Sequence, residues 1–136
     1  MDVEEIGKEI VDSAIKVHRE LGPGLLKSAY QHCLMFELQR RGIPVDHEVP
    51  LPILYDGNRI DVGYRIDLVV ANLVIVENKT VDQLLPIHEA QILTYLKLGG
   101  FQLGYLINWN VKLIKYGIKR VVHNISEPRW RSEHRR

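Results

Sequence analysis

The sequence has little cysteine, no long apolar run and almost no net charge. A single cysteine, Cys33, excludes an internal disulfide and is typical of a protein of the reducing cytoplasm. No apolar run approaches the roughly 18 residues of a membrane span, so we expect no membrane association. The net charge of +1 excludes a strongly basic chain. Any binding of a polyanion must therefore depend on local clusters of charge.

The remaining composition is that of one globular domain. The chain has 136 residues, of which 46% are hydrophobic and 26% are charged, and both fractions are ordinary. We assign residues 1–125 to a single domain and residues 126–136 to a basic C-terminal tail. The arginines of this tail, with Trp130 among them, could add contacts to a nucleic-acid backbone or could simply be solvated.

Apolar periodicity predicts three helices and a sheet. Helical spacing covers residues 3–21, about 26–41 and 86–98, and strand patterns cover 45–55, 59–70, 73–76, 102–108, 112–116 and 118–123. The predicted fold class is α/β, with a mixed sheet of about five strands against two N-terminal helices and one central helix. His18 and His32 lie on polar stretches of the first two helices, so we expect both at the surface.

The most informative stretch runs from residue 63 to residue 80, where two apolar runs flank a turn centred on Asn72. Asp67 and Glu77 lie five residues before and five after Asn72, so a hairpin with an odd-length loop would place them opposite each other. Lys79 shares the strand face of Glu77. Ionised side chains are rarely buried unless they are paired or bind a metal. The group is therefore either a structural ion pair or a functional site.

The functional interpretation is phosphodiester chemistry. Two carboxylates can hold Mg²⁺ or Mn²⁺, and such an ion lowers the pKa of a bound water and neutralises charge on a phosphate. The Lys79 ammonium can orient the attacking water or stabilise the transition state. Arg65 has the strand parity of Asp67, and it could either pair with Asp67 or bind a phosphate. On the third helix, His88, Gln91 and Tyr95 are spaced three and four residues apart and so share one face.

The ordered set of these motifs resembles the GxxExxY branch of the PD-(D/E)XK nuclease superfamily. The resemblance spans roughly residues 4 to 125 and rests on Asp67 with Glu77-Asn78-Lys79, and on Gln91 with Tyr95, together with the runs 24–30, 64–68, 86–91 and 106–108. It implies a restriction-endonuclease-like fold, Asp67 and Glu77 as metal ligands, and Lys79 as a catalytic residue. Gln91 with Tyr95 also resembles the Q-x-x-x-Y signature of helicase-linked exonucleases in the same superfamily, which implies that Gln91 orders the site and that Tyr95 approaches the nucleic acid. The alternative is that both residues only line the boundary between the sheet and the helix. The backbone carbonyl of Asn78 is a further candidate metal ligand.

Two positions depart from the pattern of that family. Lys27 occupies the place of the glutamate that names the branch, and Asn78 stands where the superfamily usually carries an apolar residue. Lys27 could contact a nucleic-acid phosphate or form a salt bridge with a site carboxylate. Both alternatives remain open at the level of sequence.

The expected function is therefore a nuclease dependent on Mg²⁺ or Mn²⁺, with DNA favoured over RNA and a homodimer as a possible assembly. The alternative is a catalytically impaired module of the same fold that binds nucleic acid or a protein partner without cleaving. Lys27 motivates this alternative, because an ammonium near the carboxylates competes electrostatically with a divalent cation.

Overall fold

The computed structural model describes residues 1–124, and the tail that we assigned to residues 126–136 lies outside this range. The three expected helices are present as α1 (Val3–Leu21), α2 (Lys27–Arg40) and α3 (Pro86–Gly99). Asp2 and Glu5 form a capping box that starts α1, and Gly22, with φ of 67°, ends it. No helix within residues 1–124 is both long and apolar enough to cross a bilayer.

The central sheet has five strands, as the sequence predicted. They are β1 (Val45–Pro50), β4 (Arg65–Val70), β5 (Val74–Lys79), β6 (Leu103–Asn108) and β7 (Ile118–Val122), and they lie side by side in the order β1-β4-β5-β6-β7. Only β5 and β6 pair in parallel, because α3 carries the chain from one end of the sheet to the other between them. The sheet is therefore mixed. Two further strands, β2 (Ile53–Tyr55) and β3 (Asn58–Ile60), form a separate hairpin.

The two faces of the sheet bury different helices. α1 and α2 cover one face, and the buried strand residues on that side include Leu68, Val70, Val74 and Val76. α3 covers the other face, where Ile92 and Leu96 pack against Val69, Ile75 and Leu106. Because side chains alternate along a strand, Glu77 belongs to the α3 face with Ile75, and Asn78 belongs to the α1–α2 face with Val76. This alternation decides what each polar residue of the hairpin can reach.

Two predicted strands differ in detail from the structure, and one is absent. Within the strand expected at 45–55, Pro50 and Pro52 indicated an edge or an irregular segment, and β1 is indeed an edge strand that ends at Pro50, with β2 beginning at Ile53. The strand expected at 59–70 is interrupted at residues 61–64, where Gly63 adopts a φ of 85°. The segment 112–116 forms no strand, and a short 3-10 helix spans Ile114–Tyr116 instead.

The expectation that His18 is a surface residue was also wrong. Its side chain is buried, and its Nε2 lies 3.1 Å from the backbone carbonyl oxygen of Trp109. A buried imidazole is stable there because its polar atom has this partner. His32 is exposed, as expected.

Candidate active site

The hairpin of β4 and β5 brings two carboxylates together. Its register pairs Leu68 with Val76 and Val70 with Val74, which leaves a three-residue loop centred on Asn72. Both Ala71 and Asn72 adopt positive φ values, of 53° and 57°, a conformation that asparagine tolerates better than most residues. The same register continued by one pair places Asp67 opposite Glu77. The structure thus brings these two residues together as the spacing in the sequence suggested.

Each carboxylate takes the place of a backbone acceptor on the neighbouring strand. The Asp67 N–H donates to Glu77 Oε2 at 2.7 Å, and the Asn78 N–H donates to Asp67 Oδ2 at 2.8 Å. Both side chains are buried, with Asp67 6% and Glu77 3% exposed. Hydrogen bonds from backbone amides hold a carboxylate in a fixed orientation. The two acids are therefore positioned by the fold itself, before any ligand arrives.

Burial and charge together alter the chemistry of Glu77. Burial, followed by repulsion from Asp67, raises the pKa of the Glu77 carboxyl from about 4.5 to about 8. The hydrogen bond from the Asp67 N–H and the charges of Lys79 and Lys27 act in the opposite direction. A strongly perturbed acid beside a second acid in a cleft is typical of a functional site.

Lys27 is the third charged group of this cluster. It is the first residue of α2, and its Nζ lies 3.1 Å from each oxygen of Asp67. Of the two contacts left open by the sequence, the structure shows the salt bridge with a site carboxylate. The Lys27 side chain remains 43% exposed, so the ammonium is open to solvent on one side.

A second group of hydrogen-bonded polar side chains connects β5 to α3. Lys79 Nζ donates to Gln91 Oε1 at 2.9 Å, and Gln91 Nε2 donates to Tyr95 Oη at 3.3 Å. Burial, and then the charge of Glu77, raise the pKa of the Tyr95 phenol above its ordinary value, so the phenol stays protonated. The amide of Gln91 thus fixes the position of the Lys79 ammonium on the same sheet face as Glu77. The roles of these residues in catalysis remain predictions.

Two other candidates make local contacts. Arg65 donates from Nη1 to the carbonyl oxygen of Glu48 at 3.4 Å rather than to Asp67. His88 Nδ1 accepts a hydrogen bond from the Leu85 N–H at 2.9 Å, which caps the start of α3. Arg65 is exposed and free to meet a ligand, whereas His88 has a structural function.

The side chain of Asn78 points away from the carboxylates, into the layer beneath α1 and α2. Its Oδ1 accepts a hydrogen bond from Trp109 Nε1 at 2.8 Å, and its Nδ2 donates to Gln31 Oε1 at 3.1 Å. Trp109 in turn stacks on Tyr30 with ring centroids 4.9 Å apart. The departure from an apolar residue at this position is explained by these buried partners. Sequence reasoning missed Gln31 and Trp109, although an amide within an apolar run was a signal that a polar partner lay behind the sheet.

The donor set fits a hard divalent cation. Within residues 1–124, no group of three or more histidine, cysteine, aspartate or glutamate side chains is arranged to hold a metal. The site instead offers a pair of carboxylates, those of Asp67 and Glu77. Each has lone pairs beyond those that accept from the backbone amides. Mg²⁺ typically binds one or two carboxylates and keeps several waters or substrate oxygens. The pair meets that requirement and would not form a closed structural site.

Comparison with known proteins points to one family. The model of the PD-(D/E)XK nuclease superfamily matches residues 4–121 of the chain, which include every site residue described above. No curated protein and no solved structure is significantly similar to the chain.

Replacing Asn78 with leucine should destabilise the protein. The substitution leaves the buried Trp109 Nε1 donor and the Gln31 Oε1 acceptor without the hydrogen bonds that Asn78 makes to them, at a cost of about 1–3 kcal/mol in the free energy of unfolding. Urea unfolding measures the change. Gln83→Leu, at an exposed position, should change the free energy by less than about 0.5 kcal/mol. An Asn78→Leu protein as stable as the wild type would show that the buried amide contributes nothing.

The stability of the metal-free protein should fall as the pH rises from 5 toward 8. In that range the native protein keeps a proton on Glu77, whose pKa is raised to about 8, while the unfolded chain with an ordinary pKa has lost it. The native state therefore binds more protons, and stability decreases with increasing pH. The Glu77→Gln variant keeps an oxygen that can accept from Asp67 N–H, and its stability should lack this loss.

The measurement is urea unfolding in EDTA at several pH values, with Glu20→Gln on the exposed surface of α1 as the matched control. The Glu20→Gln protein should follow the wild-type pH dependence. Parallel curves for the wild type and Glu77→Gln would contradict the raised pKa.

Proposed function

Because the chain belongs to the PD-(D/E)XK nuclease superfamily, we propose that it is a divalent-metal-dependent nuclease that hydrolyses phosphodiester bonds in nucleic acid. Nucleases of this superfamily are generally dependent on divalent metals and act on nucleic acid. The single observation that supports the proposal most strongly is the convergence of buried Asp67 and Glu77 beside Lys79, which Gln91 holds in place. A purely structural ion pair would not require two adjacent buried acids.

In this proposal Asp67 and Glu77 hold Mg²⁺ or Mn²⁺, with the backbone carbonyl of Asn78 as an additional ligand. When bound, such an ion supplies a water of lowered pKa and neutralises charge on the phosphate. The backbone amides that bind both carboxylates keep the two acids in one arrangement. The positions of the ligands are therefore largely preorganised, which lowers the cost of reorganisation during the reaction.

The remaining residues act on the substrate. Lys79, fixed by Gln91, places a positive charge where it can orient the attacking water or stabilise the phosphorane-like transition state. The exposed guanidinium of Arg65 is available to a neighbouring phosphate. Tyr95 lies at the substrate side of the same group through its contact with Gln91.

Lys27 is the distinguishing feature of the site. We assign the chain to the GxxExxY branch with Lys27 in place of the glutamate, which is supported by the position of its ammonium against Asp67. A cation that binds Asp67 would compete with this ammonium for the same oxygens. The half-exposed side chain can then turn to a phosphate of the substrate, and so we include Lys27 among the substrate-binding residues. DNA as the preferred substrate and a homodimer as the assembly remain predictions.

Isosteric changes of the two acids should abolish both metal binding and cleavage. Asp67→Asn combined with Glu77→Gln keeps the acceptors for both backbone amides but removes the charge. Calorimetry with Mn²⁺ and Mg²⁺ should show saturable binding by the wild type and none by the double variant. Cleavage of single- and double-stranded DNA and RNA should fall by at least about 100-fold, the order expected for loss of electrostatic stabilisation.

Asp12→Ala, on the exposed side of α1, is the matched control and should behave as the wild type. Cleavage retained by the double variant would contradict the proposed site. Binding of nucleic acid by the wild type in EDTA, with no cleavage in Mg²⁺ or Mn²⁺, would identify the protein as a binding module instead.

Removing the charge of Lys27 should strengthen cation binding. Lys27→Met keeps the length of the side chain but removes a positive charge that lies 3.1 Å from both oxygens of Asp67. Loss of one repulsive charge at this range should lower the Kd for Mn²⁺ by at least about tenfold. The calorimetric titration includes Lys27→Arg, which keeps the charge, and Lys8→Met, on exposed α1, and both should leave the Kd near that of the wild type. An unchanged Kd in Lys27→Met would show that the ammonium does not oppose the cation.

A further inference from the structure

A pocket of about 480 Å³ opens beside the Lys79–Gln91 pair, on the outer side of α3. Its lining includes the site residues Lys79, Gln91 and Tyr95, so it is continuous with the proposed place of catalysis. The walls away from the catalytic residues come from the β2–β3 hairpin, the segment 61–64 and the exposed face of α3. The role proposed above for the catalytic group does not require this pocket.

Much of the pocket lining is apolar or aromatic, and two of these side chains are exposed to solvent. Tyr64 is 47% exposed and Ile87 is 67% exposed, while Ile53 and Leu98 complete the apolar lining. Exposed apolar groups that border a concave site commonly mark a place where a ligand is buried. The lining contains one cationic side chain, that of Lys79, and no carboxylate. A ligand with a flat apolar body and a negative charge at one end would match this distribution.

The position of Tyr64 results from the interruption of the sheet. Residues 61–64 leave the ladder between β3 and β4, and Gly63, with φ of 85°, turns the chain just before Tyr64. The carbonyl of Tyr64 accepts a hydrogen bond from the Leu51 N–H at 2.8 Å, which fixes its backbone. Its ring lies 6.3 Å from that of Tyr95, centroid to centroid, with an angle of 53° between the ring planes. Because Tyr64 is also well exposed, part of its surface remains accessible to a ligand.

We propose that this pocket binds an unpaired nucleobase of the nucleic acid, next to the phosphodiester that the catalytic group attacks. The inference rests on the proposed function, because the phosphate at Lys79 is what places a base beside Tyr64. In this proposal the base stacks on Tyr64, and its other contacts come from Ile87 and Thr94, which also line the pocket. Aromatic stacking of this kind is tolerant of sequence. Bases within a duplex are already stacked and paired, so the substrate class is single-stranded nucleic acid or a structure with an unpaired base at the cleaved bond.

The test compares a single-stranded oligodeoxynucleotide with a DNA strand of the same length in which every nucleotide lacks its base. Both carry the same phosphates, and binding is followed by fluorescence anisotropy in the cleavage-deficient Asp67→Asn background. That protein should bind the base-bearing strand about tenfold more tightly, the order expected for one stacked base. With Tyr64→Ala added, both strands should bind with the weaker affinity. Tyr64→Phe, which keeps the ring, should preserve the difference.

Two further variants make the result independent of how Tyr64→Ala folds. Ala90→Trp fills the pocket from the exposed face of α3 and should also abolish the preference for bases. Tyr116→Ala removes a tyrosine that is 74% exposed and outside the pocket, and should leave the preference intact. In proteins with both acids intact, the ratio of single-strand to duplex cleavage should fall with Tyr64→Ala and stay unchanged with Tyr116→Ala.

The outcomes separate this inference from the proposed function. Equal affinity for base-bearing and abasic strands, or preferential cleavage of duplex, would overturn the proposal that the pocket binds a base. Cleavage of nucleic acid in the same experiments would still support the proposed nuclease activity. A preference for bases that survives both Tyr64→Ala and Ala90→Trp would place the base elsewhere and would also overturn the inference. Failure of the wild type to bind or cleave any nucleic acid would overturn both.

Discussion

The structure depends on an exchange of hydrogen bonds between two neighbouring strands. Where β4 and β5 separate, the Asp67 N–H donates to the Glu77 carboxyl and the Asn78 N–H donates to the Asp67 carboxyl. A side-chain acceptor on each strand thus replaces a carbonyl that the ladder would otherwise supply. The exchange satisfies the backbone at the end of the hairpin and places two acids in the core. The contact of Lys27 with Asp67 helps to offset the cost of this burial.

Support for the two acids comes from both faces of the sheet. On the face covered by α3, Lys79 and Gln91 form a polar boundary, and Lys27 balances the charge of Asp67 from the start of α2. Beneath the sheet, the side chain of Asn78 is held by Trp109 and Gln31. Since the backbone N–H of Asn78 binds Asp67, the buried cluster and the carboxylate are joined through one residue. The packing of α2 is therefore coupled to the position of the Asp67 carboxylate in two ways, through Asn78 and through Lys27.

The hairpin and its acids could be predicted because their information is local. Equal spacing of Asp67 and Glu77 about Asn72 fixes the register once the turn is known, and alternation then fixes the faces. The order of the helices followed from apolar periodicity for the same reason. Residues whose environment depends on distant parts of the chain could not be placed. His18 is buried because a carbonyl at Trp109 lies next to it, and no pattern within α1 indicates that partner.

The bounds of the interrupted strands could not be predicted for a related reason. Residues 61–64 carry enough apolar character to continue a strand, and only the tertiary position of Leu51, which donates to the carbonyl of Tyr64, shows where the chain leaves the sheet. Pro50 and Pro52 indicated irregularity at the edge without showing its extent. Tyr64, at the end of the second irregular segment, lines the pocket beside Lys79. Local rules are thus least reliable where the chain departs from the regular sheet.

The salt bridge of Lys27 has a consequence for the order in which the protein is assembled. The Lys27 ammonium lies against Asp67, and burial raises the pKa of the Glu77 carboxyl, so the two acids need not form an uncompensated pair of negative charges in the folded protein. A site built from unbalanced acids would need a cation to complete its folding. If the protein uses a divalent cation as we propose, Lys27 would let the chain fold first and bind the ion afterwards. A shortage of divalent ions would then leave the protein folded but inactive.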